Sequence, residues 1–278
     1  MSYFVDFLEE TVNTKKSLIC VGLDPHPAQM QVDDLYEFCE RIVTEVSPHV
    51  SAIKPNLAFF EAFGIEGLKT LERVVKFVRE TNPKLILIGD AKRGDISSSM
   101  ERYAKAIFEQ WDFDAATVNP FAGRDSIDPF LQYEDKGVFV WCKSSNPDGY
   151  QFQNIGHAGR NSSGKVYEMI AREANDWNFN KNVGLVVGAT YPNELEFIRQ
   201  ISPDIPILVP GIGSQDGDLR ASIVGGISPS RYNLIISSSR SIIYASDNPV
   251  DYGMSAGMAA KKLKDQVNEV LLKIERPI

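Results

Sequence analysis

Short runs of apolar, largely β-branched residues recur along the chain, separated by longer stretches whose apolar residues fall at helical spacing. The strand-like runs are "SLICVGLD", "SAIKPNL", "KLILIGDAK", "AATVNPF", "GVFVWCKSS", "VGLVVGAT", "IPILVPGIG" and "NLIISSSRSIIYA". Between them lie segments such as "EGLKTLERVVKFVRE" and "SSSMERYAKAIFEQ", each with one apolar helical face. Strands that are apolar almost throughout are buried on both faces, as in a parallel sheet covered by helices. Eight strand–helix units within 278 residues predict an α/β protein, a (β/α)8 TIM barrel, as one domain over residues 1–278. A doubly wound open sheet is the alternative topology. One helical segment, "YFVDFLEETVN", precedes the first strand and would cap one end of the barrel.

The polar residues modify this picture by where they fall. Asp24, Lys54, Asp90, Lys92, Asn119, Ser145 and Gly213 all stand at the C-terminal ends of strand runs. In a barrel those ends ring one mouth, where active sites of this architecture lie. The stretch "LILIGDAKRGDI" is the sharpest case, an apolar strand running directly into Asp90, Lys92, Arg93 and Asp95. Strand alternation would point Asp90 and Lys92 the same way, toward the mouth and toward Lys54 on the neighbouring strand. Arg93 would point away and serve a structural ion pair. A lone D-x-K at a strand end reads equally as a structural pair. "DAKRGDI" together with "AIKPN" upstream, at matching strand ends, favours a site.

Composition narrows the chemistry. The chain is 43% hydrophobic and 24% charged, with a net charge of −8, so it offers no electrostatic footprint for nucleic acid or an anionic membrane. An anionic ligand must be held by a local cluster of donors. Gly211, Gly213 and Gly217 in "LVPGIGSQDGD" would let backbone N–H groups approach such a ligand, and the eighth strand, in "SSSRSIIYA", supplies Arg240 for phosphate oxygens. Cys20, Cys39 and Cys142 are widely spaced and form no C-x-x-C pair, which predicts reduced thiols in a cytoplasmic setting and no zinc site. His26, His49 and His157 share no metal or triad spacing. The N-terminal segment does not read as a signal peptide, and no segment approaches the length of a membrane span.

Taken in order, "VGLDP", "AIKPN", "DAKRGDI", "SSNP" and "SSRSIIYA" make the sequence resemble the orotidine 5′-phosphate decarboxylases, in particular the longer bacterial type, over nearly the whole chain. The resemblance implies a homodimeric barrel converting orotidine 5′-phosphate to UMP and carbon dioxide, the last step of de novo UMP synthesis, without cofactor or metal. The family's array of two lysines alternating with two aspartates matches Lys54, Asp90, Lys92 and Asp95, the last reaching into the neighbouring subunit's site. Asp24 matches the carboxylate that takes ribose hydroxyls, Ser145 the serine that reads the pyrimidine, and Gln215 with Arg240 the phosphate-binding pair. A helix N-cap is the plain alternative for Asp24, and a turn serine that for Ser145. Two positions depart from the family pattern. "DISSS" places Ser99 where a threonine is usual, keeping a hydroxyl for the partner subunit's ribose, and Asp216 stands where glycine is common. The closest rival is a metal-dependent sugar-phosphate decarboxylase or aldolase on the same scaffold, which would need a carboxylate where Lys54 stands. A non-catalytic nucleotide-binding barrel is the other, and the presence of all four array residues speaks against it.

Overall fold

The structure, a computed structural model, describes residues 3–158, 163–213 and 218–278. Eight strands form a closed barrel: β1 (Ile19–Leu23), β2 (Ala52–Pro55), β3 (Ile86–Arg93), β4 (Ala115–Val118), β5 (Gly137–Lys143), β6 (Val183–Val187), β7 (Ile207–Pro210) and β8 (Leu234–Ser238). Each pairs in parallel with the next, and β8 returns to β1 with Ile19 opposite Ile236. Burial explains the composition of the runs. Every residue of β1, β2, β4, β6 and β8 is buried, because one face fills the barrel and the other lies under helices.

The longer helices are α1 (Phe4–Lys15), α2 (Leu35–Val46), α3 (Gly64–Thr81), α4 (Ser97–Lys105), α5 (Arg124–Leu131), α6 (Val166–Trp177), α7 (Pro192–Ile201), α8 (Leu219–Gly226) and α9 (Tyr252–Lys273). In α3 the buried residues Leu71, Val74, Val75 and Val78 recur at the spacing of one helical face. Helix α2 starts where Asp34 accepts hydrogen bonds from the N–H groups of Tyr36 and Glu37.

Helix α1 packs against the end of the barrel opposite the mouth. The Phe4 ring packs edge-on against Phe139, 5.8 Å between centroids, and lies where a Cβ on Gly137 would meet it at 2.6 Å. Lys15 and Thr11 tie the same helix to the carbonyls of Ser47 and Lys84, which precede β2 and β3.

One local expectation changes, and one element is added. "NLIISSSRSIIYA" is not one strand: β8 ends at Ser238, and Arg240–Ile243 is a short helix whose Ile242 and Ile243 N–H groups donate to the Ser239 carbonyl. Both isoleucines are buried in the helical form too, so apolar content alone could not separate the two states. After β5, Gly156–Ala158 and Ser163–Lys165 pair as a small antiparallel ribbon, which the polar, glycine-containing "GHAGRNSSGK" does not announce.

Candidate active site

The strand ends converge on a cavity of about 380 Å³, a size usual for small-ligand sites, to which all eight strands or the loops just after them contribute. Its charged floor is built by β2 and β3. Lys54 Nζ donates to Asp90 Oδ2 at 2.6 Å, and Lys92 Nζ to Asp90 Oδ1 at 2.5 Å. One carboxylate is thus shared between two ammonium groups, one oxygen each. The Lys54 and Asp90 side chains are 6% and 7% exposed, whereas that of Lys92, nearer the opening, is 37% exposed.

Burial taken alone would push the Lys54 amine down. The attraction of Asp90, and then of Asp24, outweighs it and holds Lys54 above its ordinary value, fully protonated. Burial alone would likewise raise Asp90, but Lys54 and then Lys92 keep its carboxyl well below the usual carboxylate range.

The way Lys92 reaches Asp90 differs from the pleat expected of a strand. Gly89 stands opposite Ala116 and Arg93 opposite Val118, so four steps along β3 match two along β4. The surplus is taken up in a bulge, where Lys92 adopts a left-handed conformation with φ of 45°. Such a backbone costs a non-glycine residue about 1–2 kcal/mol. The buried Thr117 on β4 bridges the bulge, accepting from the Lys92 backbone N–H at 3.0 Å and donating to Asp90 Oδ1 at 2.9 Å. Arg93 does turn away, pairing with Glu61 and lying 4.9 Å above the Tyr103 ring.

The other predicted residues divide into two groups. Asp24, Ser145 and Arg240 line the same cavity as the charged floor. Asp24 is not a helix cap, since Asp34 caps α2, and its buried Oδ1 has no hydrogen-bond partner. The turn role belongs to Ser144, whose Oγ accepts from Asn146 N–H, leaving Ser145 to face the cavity. Gly213, with φ of 93°, follows Ile212 at the rim, where a Cβ would press on Ser241 Oγ at 2.8 Å. Gln215, Asp216 and Gly217 lie outside the described residues.

Asp95 and Ser99 do not line this chain's own cavity. Asp95 is exposed and accepts from the Ile96 N–H, and Ser99 lies in the first turn of α4. Asn119 caps the turn Pro120–Ala122 instead of facing the ligand space. Among the described residues no group of three His, Cys, Asp or Glu side chains is placed to hold a metal ion.

Sequence reading passed over Thr117 and Lys143. The buried Lys143 donates to Asn154 Oδ1 at 2.6 Å and lies 4.5 Å above the Tyr191 ring, and burial pushes its amine down. With Gln153 accepting from Ser144 N–H, it anchors the serine loop to the short helix Tyr150–Gln153. The signal was a lysine closing an apolar strand in "WCKSS", the kind of position Lys54 also holds. Thr117 gave a weaker one, since threonine is at home in any strand.

The chain is similar to known proteins over nearly its whole length. An orotidine 5′-phosphate decarboxylase of Dehalococcoides mccartyi is 41% identical over 266 residues, covering 95% of this chain and 97% of its own. That of Azoarcus sp. is 42% identical over 273 residues, covering 96% and 98%. The solved structure of Leishmania donovani OMP decarboxylase superposes with a TM-score of 0.83 at 36% identity, covering 98% of this chain and all of that one. Residues 17–253 match the profile of the orotidine 5′-phosphate decarboxylase / HUMPS family, and the chain belongs to that family.

Proposed function

We infer that this protein decarboxylates orotidine 5′-phosphate to UMP and carbon dioxide, the closing step of de novo UMP synthesis. The observation that carries the reading is the single carboxylate of Asp90 held between Lys54 and Lys92 at the floor of the mouth. Breaking the bond from C6 to the carboxylate releases carbon dioxide and leaves the electron pair in an sp² orbital that the ring π system cannot absorb. A fixed positive charge waiting at that carbon stabilises it, and it needs no reorganisation as the reaction proceeds. Lys92 supplies that charge and then the proton, forming the new C6–H bond, and its amine regains a proton from water. Asp90 keeps Lys54 charged despite its burial and accepts from the Lys92 ammonium. The balance closes without a cofactor.

The remaining contacts orient the nucleotide. The unpartnered Asp24 Oδ1 is an acceptor suited to a ribose hydroxyl, and Ser145 faces the space for the base. Arg240 takes the phosphate at the start of the short helix after β8, together with the loop of Gly213 and Gln215. Asp95 and Ser99 serve the mouth of a second copy in a homodimer, which accounts for their lying outside their own. Ile96 and Phe121, 67% and 93% exposed on the loops after β3 and β4, offer an apolar surface for that copy. Three buried free thiols fit a cytoplasmic setting, and among the described residues no helix is long and apolar enough to cross a membrane.

The metal-dependent rival would place a carboxylate at the end of β2, where the Lys54 ammonium stands. Incubating the purified protein with orotidine 5′-phosphate in the presence of a chelator separates the readings. UMP and the accompanying ultraviolet change should appear undiminished; no turnover, or turnover abolished by the chelator, would overturn this assignment.

A further inference from the structure

The bulge in β3 leaves one question of hydrogen-bond accounting. In a regular parallel ladder each N–H that points at a neighbouring strand finds a carbonyl there. Between Gly89 and Arg93 the β4 strand provides only one residue, Thr117, for three on β3. The Lys92 N–H therefore has no ladder carbonyl and donates to the Thr117 hydroxyl instead, at 3.0 Å. A hydroxyl can accept and donate at once. Its own proton goes to Asp90 Oδ1 at 2.9 Å, the same oxygen that accepts from Lys92 Nζ at 2.5 Å. The result is a closed circuit from the Lys92 backbone through Thr117 and Asp90 to the Lys92 ammonium. Beyond it the ladder resumes, with Asn119 N–H donating to the Arg93 carbonyl at 2.7 Å.

We propose that Thr117 is a positioning residue for decarboxylation, its hydroxyl holding Lys92 in the left-handed turn that aims the ammonium at the reacting carbon. The proposal rests on the reading of Lys92 as the stabilising charge and proton donor. Without the hydroxyl, the Lys92 N–H loses its acceptor and the backbone at φ of 45° loses the contact that holds it there. Relaxing toward extended geometry would re-aim Cβ and carry Nζ away from the mouth. Asp90 would keep both lysines as neighbours but lose the contact that fixes which oxygen each takes. Ribose, base and phosphate are gripped from other loops, so binding of the nucleotide should survive.

Thr117→Val keeps the branched shape and deletes the hydroxyl. Its kcat should fall by roughly 10- to 100-fold, the scale of a misplaced catalytic group, while KM and the affinity for UMP stay within about threefold. Thr117→Ser, which restores donor and acceptor, should return kcat to within about threefold of wild type. The stoichiometry of UMP binding gives the folded fraction, so partial unfolding cannot imitate a fall in kcat. If Val does not fold at this buried position, Thr117→Ala is read in the same way. Lys92→Ala, measured alongside, tells the two claims apart. If it is inactive and Thr117→Val turns over at the wild-type rate, or Ser loses as much as Val, the Thr117 proposal is wrong and the reading of Lys92 stands. If Lys92→Ala itself keeps a tenth of wild-type kcat, the reading of Lys92 fails and Thr117 has nothing to position.

Discussion

Asp90 is the residue at which the stability of the site and the proposed chemistry meet. Its carboxylate is the immediate counter-ion of an ammonium, on Lys54, that is almost wholly removed from water. Removing one partner of such a pair leaves the other charge buried and uncompensated, which costs about 3–5 kcal/mol. Asp90→Ala should therefore destabilise the fold by about that amount as well as abolish turnover, whereas loss of the more exposed Lys92 should cost chiefly activity. The pH dependence has a definite sign. Asp90 titrates lower in the folded than in the unfolded chain, so its contribution is complete above the ordinary carboxyl value near ~4 and fades as the pH falls toward the folded one. Lys54 titrates higher when folded, so its contribution is complete below the ordinary amine value near ~10.4 and fades above it. Denaturant unfolding should show a gap between wild type and Asp90→Ala that is flat from about pH 5 to 9.5 and narrows on both sides. A gap below about 1 kcal/mol at neutral pH would mean the pair is not buried as described.

At the scale of elements, the barrel's two ends divide the labour between chemistry and stability. Opposite the mouth, the buried Arg199 of α7 donates to the carbonyls of Gly226, Ser202, Pro203 and Ile205 and to Asn233 Oδ1. It ties α7 and α8 to the segments entering β7 and β8, and burial pushes its guanidinium down to about 10. Arg199→Leu would strand several buried carbonyls, and should cost at least about 3 kcal/mol in thermal or denaturant unfolding. The kcat of the folded fraction should be unchanged, because no atom of this clamp faces the mouth. The sequence made most of the elements legible for a simple reason: a strand buried on both faces can carry little but apolar residues, so β1 to β8 stand out as runs. The site was legible wherever a polar residue interrupted such a run at its end, as with Lys54, Asp90 and Lys92. What stayed hidden had no such contrast. The bulge that aims Lys92 depends on the register between two strands, and Thr117 looks like any strand threonine. The short helix Arg240–Ile243 buries the same two isoleucines that a continued strand would.

At the scale of the whole molecule, a chain with a net charge of −8 can take an anionic nucleotide because Lys54, Lys92, Lys143 and Arg240 converge on one mouth. One carboxylate of the proposed array, Asp95, is not part of that mouth in its own chain, and the central claim is that two copies of the chain complete each other's sites. Subunit mixing tests this directly. Lys92→Ala and Asp95→Asn homodimers should each be nearly inactive. In a mixed dimer one mouth collects both lesions, while the other takes Lys92 from one chain and Asp95 from its partner and is intact. With random exchange half of the dimers are mixed and half of their sites work, so activity should recover to about a quarter of wild type. Activity that stays at the level of the separate mutants, with exchange of subunits demonstrated, would mean that Asp95 acts within its own chain and would contradict the shared site.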